Sequence, residues 1–519
     1  MLSALLLGCA APALDISSST TSIPGRYPTP ARSLATIPPA NQPNILFILT
    51  DDLDVDSIAY MPNLQSLLVD KGASFTNFFV NVSLCCPSRA SILKGQYAHN
   101  TQILGNRPPA GGFEKFYAAG EEESTIATWL HSANYQTALI GKYLNGYPLG
   151  VKPKYIPPGW DEWYSLVDGN PYEGFNYTLN QNGKLVKYGS KAKDYSTDVY
   201  AGLAADFIIR ASASEKPFFL YLAPYAPHGP ATPALRHSRL FPGTKAPQSP
   251  SFNEKDVKDK PEYVRAHPRM DAGEIAYINH LYRRRLQSLQ AVDEMIASLV
   301  DLLDRTGELN KTYIFFVSDN GFLMGQHRLG AGKVAPYEES IRVPLIVRGP
   351  KVPPGIQIGQ LTGNIDLAPT WAELAGTAAP DSVDGRSLLP LLDPGEGSPP
   401  NWRQAYLVIQ GSVDEEAANN LETLNFMGMG LPLDPITGKI TLTGISSYDI
   451  PSFNALRLED ALYVEYETGE RELYNLVNDP YQLVNIYEDA DPELIRRLSS
   501  WVNQLIQCSG DSCREIDRG

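Results

Sequence analysis

The stretch NILFILTDD, Asn44 to Asp52, decides the fold. An unbroken apolar run from Ile45 to Leu49, stopped by paired carboxylates, reads as a strand buried on both faces rather than one facing water. The same syntax recurs along the chain. QTALIG, Gln136 to Gly141, runs into Lys142; PFFLYLA, Pro217 to Ala223, leads to Pro227 and His228; TYIFFVS, Thr312 to Ser318, ends on Asp319 and Asn320. Helical spacing lies between these runs. Leu64, Leu67 and Leu68 share a face between Pro62 and Lys71, with Gly72 placed as a C-cap, and a stripe from Leu286 through Leu289, Val292, Ile296 and Leu299 reaches Leu303. Strands alternating with helices predict an α/β fold with a large, mostly parallel sheet flanked by helices. Ligands collect at the carboxyl ends of such strands, where each chemically capable residue just named falls.

The rest of the chain is organised around this sheet. Residues 1–13, MLSALLLGCAAPA, read as a signal peptide, although no Lys or Arg precedes the apolar run. Leu-Leu-Gly-Cys at 6–9 also permits a lipoprotein reading with Cys9 acylated. Residues 14–42 are a flexible lead-in rich in Ser, Thr, Pro and Ala. A large domain is expected over 43–395 and a smaller C-terminal α+β subdomain over 400–519, parted by the Pro/Gly-rich patch that begins at Asp393. Alternation from Ala461 to Glu467 predicts an antiparallel sheet there, and Pro492 to Gln507 a last helix. The irregular segment 229–275 reads as an insertion that forms a wall of the pocket. No later stretch is apolar enough to span a membrane, and a net charge of -15 argues against nucleic acid as partner.

Only five cysteines occur in 519 residues. Cys508 and Cys513 can close a small disulfide loop in an oxidising compartment, and Cys9 leaves with the signal. Cys85 and Cys86 remain, in LCCPSRASILKG, Leu84 to Gly95. Pro87 at or near N1 starts a helix, which places Cys85 just before an N-terminus that favours anions. The sequons at Asn81, Asn176 and Asn310 are glycosylation candidates that fit a secreted chain.

Asp51, Asp52, Asp319 and Asn320 offer oxygen ligands at two strand ends, a set suited to calcium or magnesium. Seven histidines supply a binuclear zinc site poorly. Arg89, Lys142 and Lys333 can hold a tetrahedral oxyanion, or can be ordinary surface cations. His228 suits proton transfer as well as a structural role, and His327 is a weaker candidate.

Cys85-Cys-Pro-Ser-Arg resembles the C-x-P-S-R segment of the sulfatase family, whose first cysteine is oxidised to formylglycine. Pro43 to Asp52, Met61-Pro-Asn-Leu, Gly141-Lys-Tyr, Ala226-Pro-His, Ser318-Asp-Asn-Gly, Tyr337 to Pro344 and Leu473 to Pro480 resemble family segments in family order. The resemblance implies an alkaline-phosphatase-like sandwich and a catalytic domain over 43–395. It also implies one calcium (or magnesium) ion on Asp51, Asp52, Asp319, Asn320 and the modified Cys85. Arg89 would orient the formylglycine, and Lys142, Lys333 and His228 would contact the sulfate ester. The implied reaction is attack on sulfur by a formylglycine gem-diol, giving a sulfo-enzyme intermediate, with His228 as proton donor. A formylglycine-generating enzyme is the implied partner in maturation, and the secretory-pathway lumen or exterior the implied location.

The sequence departs from the family pattern in two places. Gly141-Lys-Tyr is followed by Leu144-Asn145 where many relatives have His, so that contact is missing or comes from Asn145 or His327. Lys94 stands where Thr is common. The motifs look closest to fungal arylsulfatases and N-acetylglucosamine-6-sulfatases. The expected activity is arylsulfatase-type sulfuric ester hydrolysis, with a small-molecule or saccharide sulfate as substrate. The alternatives are a sugar 6-sulfatase, a two-zinc phosphatase or phosphodiesterase of the same superfamily, and a glycan-binding protein with unmodified Cys85. Asn320, where zinc-binding relatives often have His, argues against the phosphatase.

Overall fold

In a computed structural model of the chain, residues 42–393, 401–411 and 450–519 are described, and they belong to one compact unit. The expected signal peptide, the lead-in up to residue 41 and the Pro/Gly-rich residues 394–400 lie outside the described residues.

The main sheet has ten strands: β1 (Asn44–Thr50), β2 (Ala73–Phe75), β3 (Gln136–Gly141), β4 (Glu162–Asp168), β5 (Thr178–Gln181), β6 (Lys184–Lys187), β7 (Phe218–Ala223), β8 (Thr312–Ser318), β9 (Leu345–Arg348) and β10 (Ile356–Ile358). Their order is β10-β2-β9-β8-β1-β7-β3-β4-β5-β6. The five central strands, β8 to β4 in that order, are parallel. Strands β9, β5 and β6 run antiparallel to their neighbours. Thr50 pairs with Ser318 and Gly141 with Ala223, so β1, β8, β3 and β7 release the chain at one common edge.

Continuous apolar runs suit this position because the sheet is buried on both sides. Ile45, Phe47 and Leu49 join one core cluster, while Leu46 and Ile48 point into the other. On the first side, Trp371 of a helix at Leu367–Leu374 packs against Phe47, Phe219 and Phe315, with ring centroids 4.6, 5.5 and 5.7 Å away. On the second, Leu289, Val292, Ile296, Leu299 and Leu303 line a 34-residue helix, Ala272–Arg305. That helix begins inside the segment read as irregular. The Asp271 side chain caps it by accepting from the N–H groups of Gly273 and Glu274. The helix expected over Pro62 to Lys71 is α-helical only for Pro62–Leu64 and widens to a π-turn over Gln65–Val69.

The C-terminal residues form an antiparallel meander: β11 (Ala405–Gln410), β12 (Phe453–Leu458), β13 (Ala461–Tyr466) and β14 (Arg471–Asn475). Leu498, Val502 and Leu505 of the last long helix, Pro492–Leu505, pack in one cluster with this sheet and with Phe79, Tyr97, Tyr337 and Ile341. Cys508 and Cys513 are disulfide-bonded. Buried Arg403 joins Asp366 (2.6 Å) to Asp517 (2.7 Å) and so ties the end of the chain to the main body. Among the described residues, no helix is long and apolar enough to cross a membrane.

Candidate active site

The helix α1, Cys85–Lys94, begins at the cysteine itself. Leu84 is the extended N-cap, so Pro87 occupies the third helical position and Cys85 the first, two residues earlier than the sequence suggested. A proline is tolerated there because N–H groups of the first turn have no intrahelical acceptor in any case. Every residue of α1 is buried. The Cys86 N–H is satisfied by Asn106 Oδ1 at 2.9 Å.

The strand ends converge on Cys85. Asp51 and Asp52 follow β1, and Asp51 Oδ1 lies 3.4 Å from Cys85 Sγ. Asp52 takes a left-handed backbone (φ 66°), and its N–H donates to Asp319 Oδ1 at 3.1 Å. Asn320 Nδ2 donates to Asp52 Oδ1 at 2.7 Å. Lys142, after β3, donates to Asp51 Oδ2 at 2.6 Å. Lys333 donates to Asp52 and to Cys85 Sγ (2.9 Å), and lies 3.3 Å from Asn320 Oδ1. From α1, Arg89 donates through Nε to Asp319 Oδ2 (2.8 Å) and through Nη1 to the Lys142 carbonyl (3.0 Å). His228 pairs Nδ1 with the Gly229 carbonyl at 2.7 Å and turns Nε2 towards Asp52 Oδ2, 3.5 Å away.

Burial sets the electrostatics. It would raise the Asp51 pKa, but Lys142, His228, Arg89 and Lys333 hold that carboxyl well below the usual carboxylate range. Asp319 is pushed up to about 6 by burial and by the charge on Asp51, against the pull of Arg89. Burial lowers the His228 pKa, and the carboxylates of Asp52 and Asp51 recover only part of that shift. The Cys85 thiol is driven far up by burial and Asp51 despite Lys142 and Lys333. An unmodified thiol here stays protonated and is a poor nucleophile at neutral pH.

The residues fit a hard divalent cation. Ligand atoms of Asp51, Asp52, Cys85 and His228 lie within 4.8 Å of one another, with Asp319 and Asn320 bonded to Asp52. The Lys333 ammonium among Asp52, Asn320 and Cys85 shows that this point favours positive charge.

Three of the sequence-derived residues lie apart from this cluster. His327 bonds Glu254 through Nδ1 at 2.7 Å and stacks on Tyr337 at 4.0 Å. Asn145 lines a cavity of about 440 Å³ with Asn106, Gly112, Glu114 and Leu149. Lys94 pairs with Glu121 at 2.8 Å. Of the sequons, Asn81 is fully buried, which leaves no space for a glycan on the folded chain and corrects that expectation. Asn176 and Asn310 are exposed.

Sequence reading missed Tyr172, Tyr225 and Arg285. Tyr172 stacks on His228, and Tyr225 meets the edge of Tyr172. Arg285 donates to the Asp52 carbonyl and to Asp54 Oδ2 (3.1 Å). It sits among Tyr282, Leu286 and Leu289 on the buried side of its helix, and an arginine on an apolar face was the available signal. Tyr172 lies in a short irregular turn that carries no pattern.

A mostly parallel sheet whose carboxyl edge gathers carboxylates and ammonium groups around a helix N-terminus has the plan of the alkaline-phosphatase-like hydrolases. Residues 43–377 match the family model described as Sulfatase. The chain is 35% identical to human (Homo sapiens) N-acetylglucosamine-6-sulfatase over 496 residues, covering 91% of this chain and 86% of the relative. It is 32% identical to an arylsulfatase of Volvox carteri over 514 residues, covering 91% and 76%. Its fold matches BT4656, solved in complex with its substrate D-glucosamine-2-N,6-O-disulfate, with a TM-score of 0.72 at 23% identity, covering 92% of this chain and 99% of that one. The chain belongs to the sulfatase family and is a sulfuric ester hydrolase.

Proposed function

We propose that the chain hydrolyses sulfate monoesters of a saccharide bearing a glucosamine 6-sulfate, with Cys85, converted to formylglycine, as the nucleophile. The observation that carries this reading is the convergence of Lys142, Lys333, Arg89 and three aspartates on a thiol that burial makes inert. Conversion of the thiol supplies the hydroxyl nucleophile that the site otherwise lacks. Calcium, held by Asp51, Asp52, Asp319 and Asn320 when bound, supplies charge stabilisation at the sulfuryl group.

The remaining chemistry belongs to the chain. Lys142 and Lys333 bind sulfuryl oxygens, whose negative charge grows towards the transition state. Arg89 orients residue 85 by fixing Asp319 and the Lys142 carbonyl. His228 donates through Nδ1–H to Gly229 and turns Nε2, which has no hydrogen-bond partner, towards the site. As the imidazolium, which the carboxylates of Asp52 and Asp51 and a bound sulfate favour against burial, it gives the Nε2 proton to the leaving alcohol. The name of the human relative and the substrate bound by BT4656 support a sulfated glucosamine. The disulfide and the exposed Asn176 and Asn310 support maturation in the secretory pathway, where a formylglycine-generating enzyme would act.

The test compares turnover of N-acetylglucosamine 6-sulfate and 4-nitrophenyl sulfate by secreted, calcium-supplied protein whose Cys85 peptide has been weighed. Preference for the sugar supports the proposal. Preference for the aryl ester replaces it with the arylsulfatase reading that the Volvox carteri relative favours. An unmodified Cys85 peptide in active protein overturns the nucleophile assignment.

A further inference from the structure

The rings of Tyr172 and His228 lie face to face, with centroids 4.1 Å apart and planes 27° from parallel. Tyr225 braces Tyr172 from the side, ring edge to face, at 5.4 Å. Tyr172 sits on the turn Pro171–Glu173 between β4 and β5, and its own N–H is fastened to Asn170 Oδ1 at 3.1 Å. The imidazole of His228 has a single hydrogen bond, from Nδ1 to the carbonyl of the adjacent Gly229. One such bond leaves the ring free to swing about its anchor. Nε2, the atom on the reacting side, has no hydrogen bond at all. Beyond the 3.5 Å approach of Nε2 to Asp52 Oδ2, packing sets the direction of the ring, and the stacked face is that of Tyr172.

We propose that Tyr172 is a positioning residue for the leaving-group step, its flat ring holding His228 Nε2 on the ester oxygen. This rests on the reading of His228 as proton donor. The need for a proton donor grows with the basicity of the departing oxygen. A sugar alkoxide is strongly basic and must be protonated as the S–O bond breaks. A 4-nitrophenolate leaves without help. Disturbing the position of His228 should thus be felt on the sugar ester and hardly on the activated aryl ester. A residue that only supported the fold would slow both alike.

The experiment measures kcat/KM on N-acetylglucosamine 6-sulfate and 4-nitrophenyl sulfate for matured enzyme of matched formylglycine content. Tyr172→Ala should lower the value for the sugar by about 10- to 100-fold and that for the aryl ester by less than about 3-fold, a partial loss of the roughly 10²- to 10⁴-fold that a general acid contributes. Tyr172→Leu keeps apolar volume without a flat face and should show the same selective loss if the alanine variant folds poorly. Tyr172→Phe keeps the ring and should restore both rates to within about 2-fold of the parent. Equal losses on the two esters, or a phenylalanine variant as impaired as the alanine one, would overturn the proposal. His228→Ala separates the two failures. A selective loss for His228→Ala without one for Tyr172→Ala defeats the positioning role alone, whereas equal losses for His228→Ala defeat the proton-donor assignment beneath it.

Discussion

The ammonium of Lys333 lies 2.9 Å from Cys85 Sγ while also donating to the carboxylate of Asp52, so one cation joins the helix that begins at Cys85 to the end of β1. If Cys85, as proposed, becomes the nucleophile, the Lys333 ammonium between it and the metal-capable carboxylates lies where charge on a sulfuryl oxygen would fall. Lys333→Ala should lower kcat/KM by about 10²- to 10³-fold, comparable with loss of one oxyanion-hole donor. Lys333→Arg should recover little, because a planar fork does not replace a compact ammonium. Steady-state kinetics on protein of equal formylglycine content checks this, and a loss below about 3-fold would remove Lys333 from the chemistry.

Divalent cation binding should register in stability as well as in activity. A ligand present at 100 times its Kd adds about 2.7 kcal/mol to the folded state. Chelator-treated protein should therefore unfold a few degrees lower, and added calcium should restore the midpoint. Asp52→Asn removes a carboxylate bonded to both Asn320 and Lys333 and should abolish most of the response. Scanning calorimetry with and without calcium decides it; a wild-type midpoint indifferent to both treatments would reject the cation site.

The parallel core was legible because strands buried on both faces need unbroken apolar runs, and Asn44 to Thr50 and Thr312 to Ser318 have them. The cluster at their ends was legible because Asp51, Asp52, Asp319 and Asn320 directly follow those runs. What escaped depended on contacts between distant segments. Nothing local marks Tyr172 as the neighbour of His228. His327 looked available until Glu254, from the irregular insertion, claimed its Nδ1. The Asn81 triplet carries no information on burial, and its backbone is enclosed by Asn364 and Ile409. The early start of the long helix was hidden because its first two turns are mostly exposed or half-buried and contain Gly273, so no buried apolar stripe marks them.

Gly141 tests whether the strand edge sets the chemistry. Its φ of +106° is open to glycine alone, and a Cβ there would lie 2.1 Å from the Ala223 carbonyl oxygen. That oxygen accepts the Lys142 N–H at 2.8 Å, and Lys142 in turn grips Asp51. Gly141→Ala should break the link between β3 and β7 at its last rung and displace Lys142. We expect a lowered thermal midpoint and, in whatever protein remains folded, a kcat reduced about 100-fold, as for an ångström-scale misplacement. Midpoint and kcat close to those of the parent would show that the strand ends tolerate movement.

Glu338 ties the main body to the C-terminal meander and should make that tie acid-sensitive. It accepts from Arg457 Nε at 2.7 Å and Arg342 Nε at 3.0 Å, and Arg457 belongs to β12. Burial would raise its pKa, but the two guanidinium groups outweigh burial and hold it below the ordinary glutamate value. A folded pKa below the unfolded one means stability that is fully present above the unfolded value, about 4.3, and lost as pH falls through the folded one. Glu338→Gln should thus be less stable than the parent at neutral pH, with the difference shrinking as the pH drops below about 4. Urea unfolding of both proteins across that range, followed by tryptophan fluorescence, measures the gap. A gap independent of pH would mean that the loss arises from packing, and that the charge on Glu338 contributes nothing to holding the meander in place.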